Sequence, residues 1–270
     1  MIRANNKSLK AKPSFLRGII ILPILLLFFP WVEASDNNNS ARYRIDSTYP
    51  HDNNAQTEGL IIHNGFLYEG TGPCLDGPSS LRKIDLKTGE VLKNLQLPGD
   101  LFGEGITIFD DRVIQLTYKS KTGFVYDLAS FKPLGEFHYD TEGWGLTHDG
   151  ENLIMSDGTA LLHFLSPVTF KKIREVKVTD ENGEVPLINE LEYINGDIYA
   201  NIFMTPYIVR ISPQTGRVIE KIDLSKLLND YFLRSARKKP ANGIAYDPDT
   251  RSMYITGKYW EKVYRIRIFD

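Results

Sequence analysis

Five times between Glu58 and Lys258 the chain repeats one theme: a polar or aromatic residue near glycine, then two short alternating runs joined by a tight polar turn. The units read EGLIIHNGFLYEGTG from Glu58, EGITIFDDRVIQLTYKS from Glu104, WGLTHDGENLIMSDGT from Trp144, NELEYINGDIYANIF from Asn189 and NGIAYDPDTRSMYITGK from Asn242. Alternation over four to seven residues is the pattern of short antiparallel strands. Asn64-Gly65, Asp149-Gly150 and Asn195-Gly196 in the turns are strong hairpin signals. Aligned on Leu60, Ile106, Leu146, Leu191 and Ile244, the units recur every 40 to 53 residues, roughly the period of a propeller blade. A second hairpin follows in the first four units, whereas the fifth stops early at VYRIRIFD. Tyr43-Arg44-Ile45-Asp46, ahead of the first unit, can supply the missing outermost strand and remove an open sheet edge. The expected fold is therefore all-β: a five-bladed β-propeller over residues 42–270, closed by an N-terminal strand that completes the last blade. Ser225 to Arg237 is the one helix-like stretch and reads as a surface insertion.

The first residues are of another kind. Arg3, Lys7, Lys10, Lys12 and Arg17 precede an apolar run from Gly18 to Trp31, and Val32-Glu33-Ala34 follows as a small-residue cleavage pattern. The run falls short of the ~20 residues a spanning helix needs. We expect a signal peptide over residues 1–34, a polar disordered spacer over 35–41, and an exported protein, periplasmic or secreted. The net charge of −2 argues against nucleic acid as a partner. Cys74 is the only cysteine, which excludes an intrachain disulfide and leaves a small, buried or half-buried residue.

In a propeller the loops entering the innermost strands crowd one mouth of the central channel. The repeat thus sets Glu58, Glu104, Trp144, Asn189 and Asn242 around one opening. Glycines beside them suit strands that converge on an axis. Glu104, between two glycines, is costly to bury without partners and is a candidate acid or base. Lys258, at the end of the fifth unit's second strand, reads as a pocket residue or as a surface lysine. Tyr118, Phe203 and Tyr259-Trp260 stand at matching second-strand ends, where rings line a pocket or pack blade against blade. The five histidines are scattered and Asp157 reads as a turn aspartate, so we expect no metal and no cofactor.

The strings LYEGTG, LRKIDLKTGEV, LFGEGIT, YDTEGWGLTHDG, LIMSDGT, NELEYINGDIYAN, RISPQTG and NGIAYDP followed by TGKYW resemble the plant and bacterial glutaminyl-peptide cyclotransferases in order, from about Tyr49 to Tyr264. That resemblance implies a five-bladed propeller that converts N-terminal glutamine of peptides or proteins to pyroglutamate and releases ammonia. It implies a proton-shuttling role for Glu104, a pocket wall at Trp144, and polar substrate contacts at Asn189 and Lys258. With Gln56, Glu58, Tyr118 and Phe203 also lining the pocket, we expect a monomeric enzyme. The chain departs from the family pattern at four positions. Tyr118 and Phe203 replace tryptophans and keep a ring, whereas Gln56 replaces an aromatic residue and Glu58 a glutamine, and these two change the chemistry.

Cyclisation is intramolecular, so orientation supplies much of the catalysis. One carboxyl group can take a proton from the amine and return it to the departing nitrogen. Lys258 and Asn189 are the best donors for the oxyanion. Two other readings stand beside this one. A metal-dependent propeller lactonase or esterase would gather Glu58, Glu104, Asn189 and Glu190 as ligands, and a propeller altered at Gln56 and Glu58 would bind peptides without turnover.

Overall fold

The computed structural model describes residues 40–74, 77–232 and 239–269. The expected signal peptide and most of the spacer lie outside the described residues, but Ser40 and Ala41, read as the spacer's end, already belong to a strand. That strand is β1 (Ser40–Pro50). The first blade is β2 (Thr57–His63), β3 (Phe66–Thr71), β4 (Ser80–Asp85) and β5 (Val91–Gln96). The second is β6 (Gly103–Phe109), β7 (Arg112–Thr117), β8 (Thr122–Asp127) and β9 (Pro133–His138). The third is β10 (Leu146–His148), β11 (Leu153–Ser156), β12 (Leu161–Leu165) and β13 (Lys172–Lys177), followed by a small hairpin of β14 (Thr179–Asp180) and β15 (Gly183–Glu184). The fourth is β16 (Ile188–Ile194), β17 (Asp197–Ile202), β18 (Tyr207–Ile211) and β19 (Val218–Asp223), with α1 (Ser225–Phe232) after it. The fifth holds β20 (Ala241–Asp247), β21 (Ser252–Gly257) and β22 (Lys262–Phe269).

Each blade is an antiparallel meander, consecutive strands lying side by side. The turns work as their residues dictate: Asn64 and Gly65 both take positive φ, 51° and 77°, as do Asn195 and Gly196, the backbone a two-residue hairpin requires. β1 pairs antiparallel with β22, from Arg42 opposite Phe269 to Pro50 opposite Lys262. Its first residues also run parallel to β19, which joins the fourth and fifth blades into one sheet.

Among the described residues the buried apolar side chains form five clusters, each between two neighbouring blades, in place of one central core. Leu60 and Leu67 of the first blade meet Ala245 and Tyr254 of the fifth, while Tyr68 and Leu81 meet Ile106 and Val113 of the second. Burying both faces of each sheet is why the inner strands read as nearly continuous apolar runs. Trp260, expected either to line a pocket or to pack, lies fully buried against Tyr264 between the fourth and fifth blades.

Near the axis the inner strands approach so closely that side chains are excluded. A Cβ on Gly59 would come within 2.5 Å of the Ile106 amide nitrogen, and one on Gly105 within 2.5 Å of the Trp144 carbonyl oxygen. At Gly145 the clash with the Asn189 carbonyl is closer still, and backbone cannot swing aside. Gly145→Ala is therefore expected to destabilise the fold by ~3 kcal/mol or more, at the upper end of overpacking costs. Gly135→Ala, where nothing lies within 4 Å, should change stability by less than ~0.5 kcal/mol. Denaturant melts of the two variants measure the difference, and equal midpoints would contradict the close approach.

Candidate active site

The loops leading into the five inner strands gather at one end of the axis, and a buried charge cluster sits there. Glu58, just inside β2, is 1% exposed, and Glu104, just inside β6, is 6% exposed. Lys258 follows β21 and reaches across from the fifth blade. Its Nζ donates to Glu58 Oε1 at 2.6 Å and Oε2 at 2.5 Å. With its side chain 11% exposed, Lys258 is no surface lysine. Gln56 Nε2 donates to Glu58 Oε1 at 3.1 Å, and Asn242 Nδ2 reaches Glu58 Oε2 at 3.4 Å.

Burial holds Glu104 well above the ordinary carboxylate range, and the charge of Glu58 raises it further against the pull of Lys258. Burial also raises Glu58, against the charge and hydrogen bonds of Lys258 and the hydrogen bond from Gln56. The two carboxyls lie close enough to act on each other's charge, and both are pushed toward the neutral form while Lys258 holds Glu58.

Rings stand beside this cluster. Tyr118, past the end of β7, lies edge-on to Trp144 with centroids 6.2 Å apart. Trp144 is in turn perpendicular to Phe203, past the end of β17, at 5.6 Å. The Lys258 Nζ lies 5.4 Å from the Phe203 ring centroid, which ties the aromatic wall to the ion pair. The wall is braced from behind: Trp144 Nε1 donates to Glu142 Oε2 at 3.1 Å, and Gly158, at a φ of 79°, leaves room for the indole. Phe102, 5.8 Å from Tyr118, extends the row.

Asn189 opens β16. The Ser156 hydroxyl accepts from the Gly145 amide and donates to the Asn189 carbonyl, each at 2.7 Å, which fixes the backbone at this position. Its side-chain Oδ1 is buried and has no donor among the described residues. Asn242 Oδ1 is in the same condition. A buried acceptor without a donor is costly, and an arriving N–H relieves that cost.

The eight residues for which the sequence suggested a site role, Gln56, Glu58, Glu104, Tyr118, Trp144, Asn189, Phe203 and Lys258, stand in the entry loops and at the strand ends of this mouth, whereas Trp260 packs between blades. Phe102 and Glu142 were not singled out, although each lies two residues from one that was. Also missed was what secures the first blade's inner strand. Buried Glu69 accepts from Thr57 Oγ1 at 2.7 Å and from Arg82 at 2.7 Å, and pairs with His51 at 3.0 Å. Burial alone would raise Glu69, but Arg82 and His51 outweigh it and bring its carboxyl down to about 2. On the same side Tyr259, at a φ of 62°, donates its hydroxyl to Gln56 Oε1 at 2.8 Å. Asp157 caps its own turn through the Thr159 amide and also meets His163 at 2.9 Å. Glu190, which a metal site would recruit, uses its carboxylate on the amides of Leu60 and Ile244. The opposite mouth holds a cavity of about 380 Å³, lined in part by Glu192 and by no lysine or arginine.

Residues 23–268 match the family described as glutamine cyclotransferase. A glutaminyl-peptide cyclotransferase of Arabidopsis thaliana is 38% identical over 258 residues, covering 91% of this chain and 79% of the plant protein. The crystal structure of Myxococcus xanthus glutaminyl cyclase superposes with a TM-score of 0.79 at 33% identity, over 85% of this chain and 97% of that one.

Proposed function

The chain belongs to the glutamine cyclotransferase family, and we propose that it closes N-terminal glutamine of peptides and proteins to pyroglutamate. Its activity is that of a glutaminyl-peptide cyclotransferase. In the proposed reaction the α-amine attacks the side-chain amide carbon, one C–N bond forms, another breaks, and ammonia leaves. The net proton movement is from the attacking nitrogen to the departing one.

The observation that carries this reading is a buried carboxyl, Glu104, that burial pushes toward its neutral form, at one mouth with a lysine-paired carboxylate and an aromatic wall. Glu104 delivers its proton to the departing nitrogen, and the amine's proton restores it. The Asn189 side chain pairs with the glutamine amide: its orphaned Oδ1 accepts an amide N–H while its NH₂ meets the carbonyl oxygen. Lys258, with two N–H groups on Glu58, has a third for the oxyanion. Tyr118, Trp144 and Phe203 exclude water and pack on the glutamine side chain. This scheme needs no metal and no cofactor. The basic N-terminal stretch and the apolar run from Gly18 to Trp31 support export, to the periplasm or the medium, and we expect the enzyme to act as a monomer.

The test is ammonia release from a peptide beginning with glutamine, against the same peptide with an acetylated amine. Stoichiometric ammonia and pyroglutamate are expected from the first and none from the second. Silence on both would refute the reading.

A further inference from the structure

A carboxyl that gives its proton to the departing nitrogen cannot at the same moment take one from the amine. The cyclisation needs both events, and the group placed for the other is Glu58, buried at the matching position of the adjacent blade, where the two inner strands approach within backbone contact. We propose that Glu58 is a second catalytic carboxyl, accepting the proton of the attacking α-amine while Glu104 gives its own to the departing amide nitrogen. This rests on the cyclotransferase reading above and deepens it.

The step balances without any further reactant. The free α-amine forms the new C–N bond and passes a proton to the Glu58 carboxylate. The C–N bond to the side-chain nitrogen breaks, and that nitrogen leaves as ammonia with the proton from Glu104. Glu58 is then neutral and Glu104 ionised. The proton then passes from Glu58 to Glu104, and the starting state returns. Both carboxyls are buried at the mouth. Glu58 is aimed by Lys258 at 2.5–2.6 Å and by Gln56 at 3.1 Å, and Gln56 is itself held by Tyr259 at 2.8 Å. A carboxylate gripped from three sides is held in position for proton transfer.

The pair titrates as a unit, one proton shared between two groups. The charged and titratable groups that act on it are Lys258 from the fifth blade, Glu142 from the loop before Trp144, and Tyr139 past the end of β9. In the wild type, turnover needs the singly protonated pair, so kcat should fall at high pH as Glu104 ionises. That basic limb is separate from the substrate's amine, whose own titration shapes the acid side.

The experiment is kcat against pH for wild type and Glu58→Gln, read by ammonia release. In Glu58→Gln, Glu104 loses the like charge beside it, which brings its carboxyl down, and it must make both transfers alone. The expected result is a kcat lower by ~10–100-fold, a modest general acid–base effect, and no basic limb from Glu104. Glu58→Asp, which keeps a carboxylate, should retain the limb at reduced kcat. Should Glu58→Gln fail to fold, infrared difference spectra of wild type against Glu104→Gln decide: a protonated-carboxyl band present at neutral pH in wild type and lost in Glu104→Gln is expected, and no such loss would overturn the proposal. A Glu58→Gln enzyme with wild-type kcat and an unchanged basic limb would also overturn it. A wild type that releases no ammonia from any glutamine peptide fails the cyclotransferase reading instead, and this proposal with it.

Discussion

Glu104→Gln is expected to cut kcat by ~10²–10⁴-fold while KM and thermal stability stay near wild type. The amide keeps the shape of the side chain but cannot release a proton to a departing amine. Burial pushes Glu104 toward its neutral form, so a neutral amide in its place is expected to leave the Glu58–Lys258 pair intact. The loss should therefore fall on turnover alone. Ammonia-release kinetics and a thermal melt measure the two sides, and a variant keeping more than about a tenth of wild-type kcat, judged by that same scale, would take Glu104 out of the proton path.

Lys258→Met is expected to damage activity and stability together. Met keeps the length and the apolar stem beside Phe203 but leaves Glu58, 1% exposed, without its cation. Breaking a buried pair from one side costs ~3–5 kcal/mol, unless Glu58 takes up a proton. If it does, both carboxyls of the site are neutral and nothing accepts the amine's proton. Either way kcat/KM should fall by ~10² or more, the scale of losing one preorganised donor. Adding Glu58→Gln to Lys258→Met should recover most of the lost stability and none of the activity. Denaturant melts and steady-state kinetics on the single and double variants check this. A single variant as stable as wild type would argue against the ion pair.

The propeller was legible because its information is local and repeated. Asn64-Gly65 and Asn195-Gly196 each mark a hairpin within a few residues, and five copies of one pattern at a steady period leave few alternatives. The same repeat set Glu58 and Glu104 at equivalent positions of adjacent blades, and both are buried just inside their inner strands. What stayed hidden depends on where distant side chains end up. Lys258 could be read as a surface residue because its partner lies 200 positions earlier. His51 looked like one of five scattered histidines, yet it is buried between Glu69 and the Trp260 carbonyl. Trp260 and Tyr259 are neighbours with opposite fates. The positive φ at Tyr259 turns its ring toward Gln56, while Trp260 goes into the seam between blades. No periodicity distinguishes two adjacent aromatics that part in this way.

The strand pairing at the chain ends also has a consequence for the order in which the molecule comes into being. Among the described strands β1 leaves the ribosome first and β22, its antiparallel partner, last. At ~5–20 residues per second, β1 must wait through the synthesis of every other blade before its main-chain groups are satisfied on that side. Glu58 waits with it, since its lysine arrives with the fifth blade. A nascent or truncated chain can stack four blades and their apolar seams, but it holds an unpaired edge and a carboxylate that stays hydrated. Competence therefore does not accumulate blade by blade. It appears at once, when the ring shuts, so an unfinished chain has no partial version of the site with which to modify the termini of its neighbours.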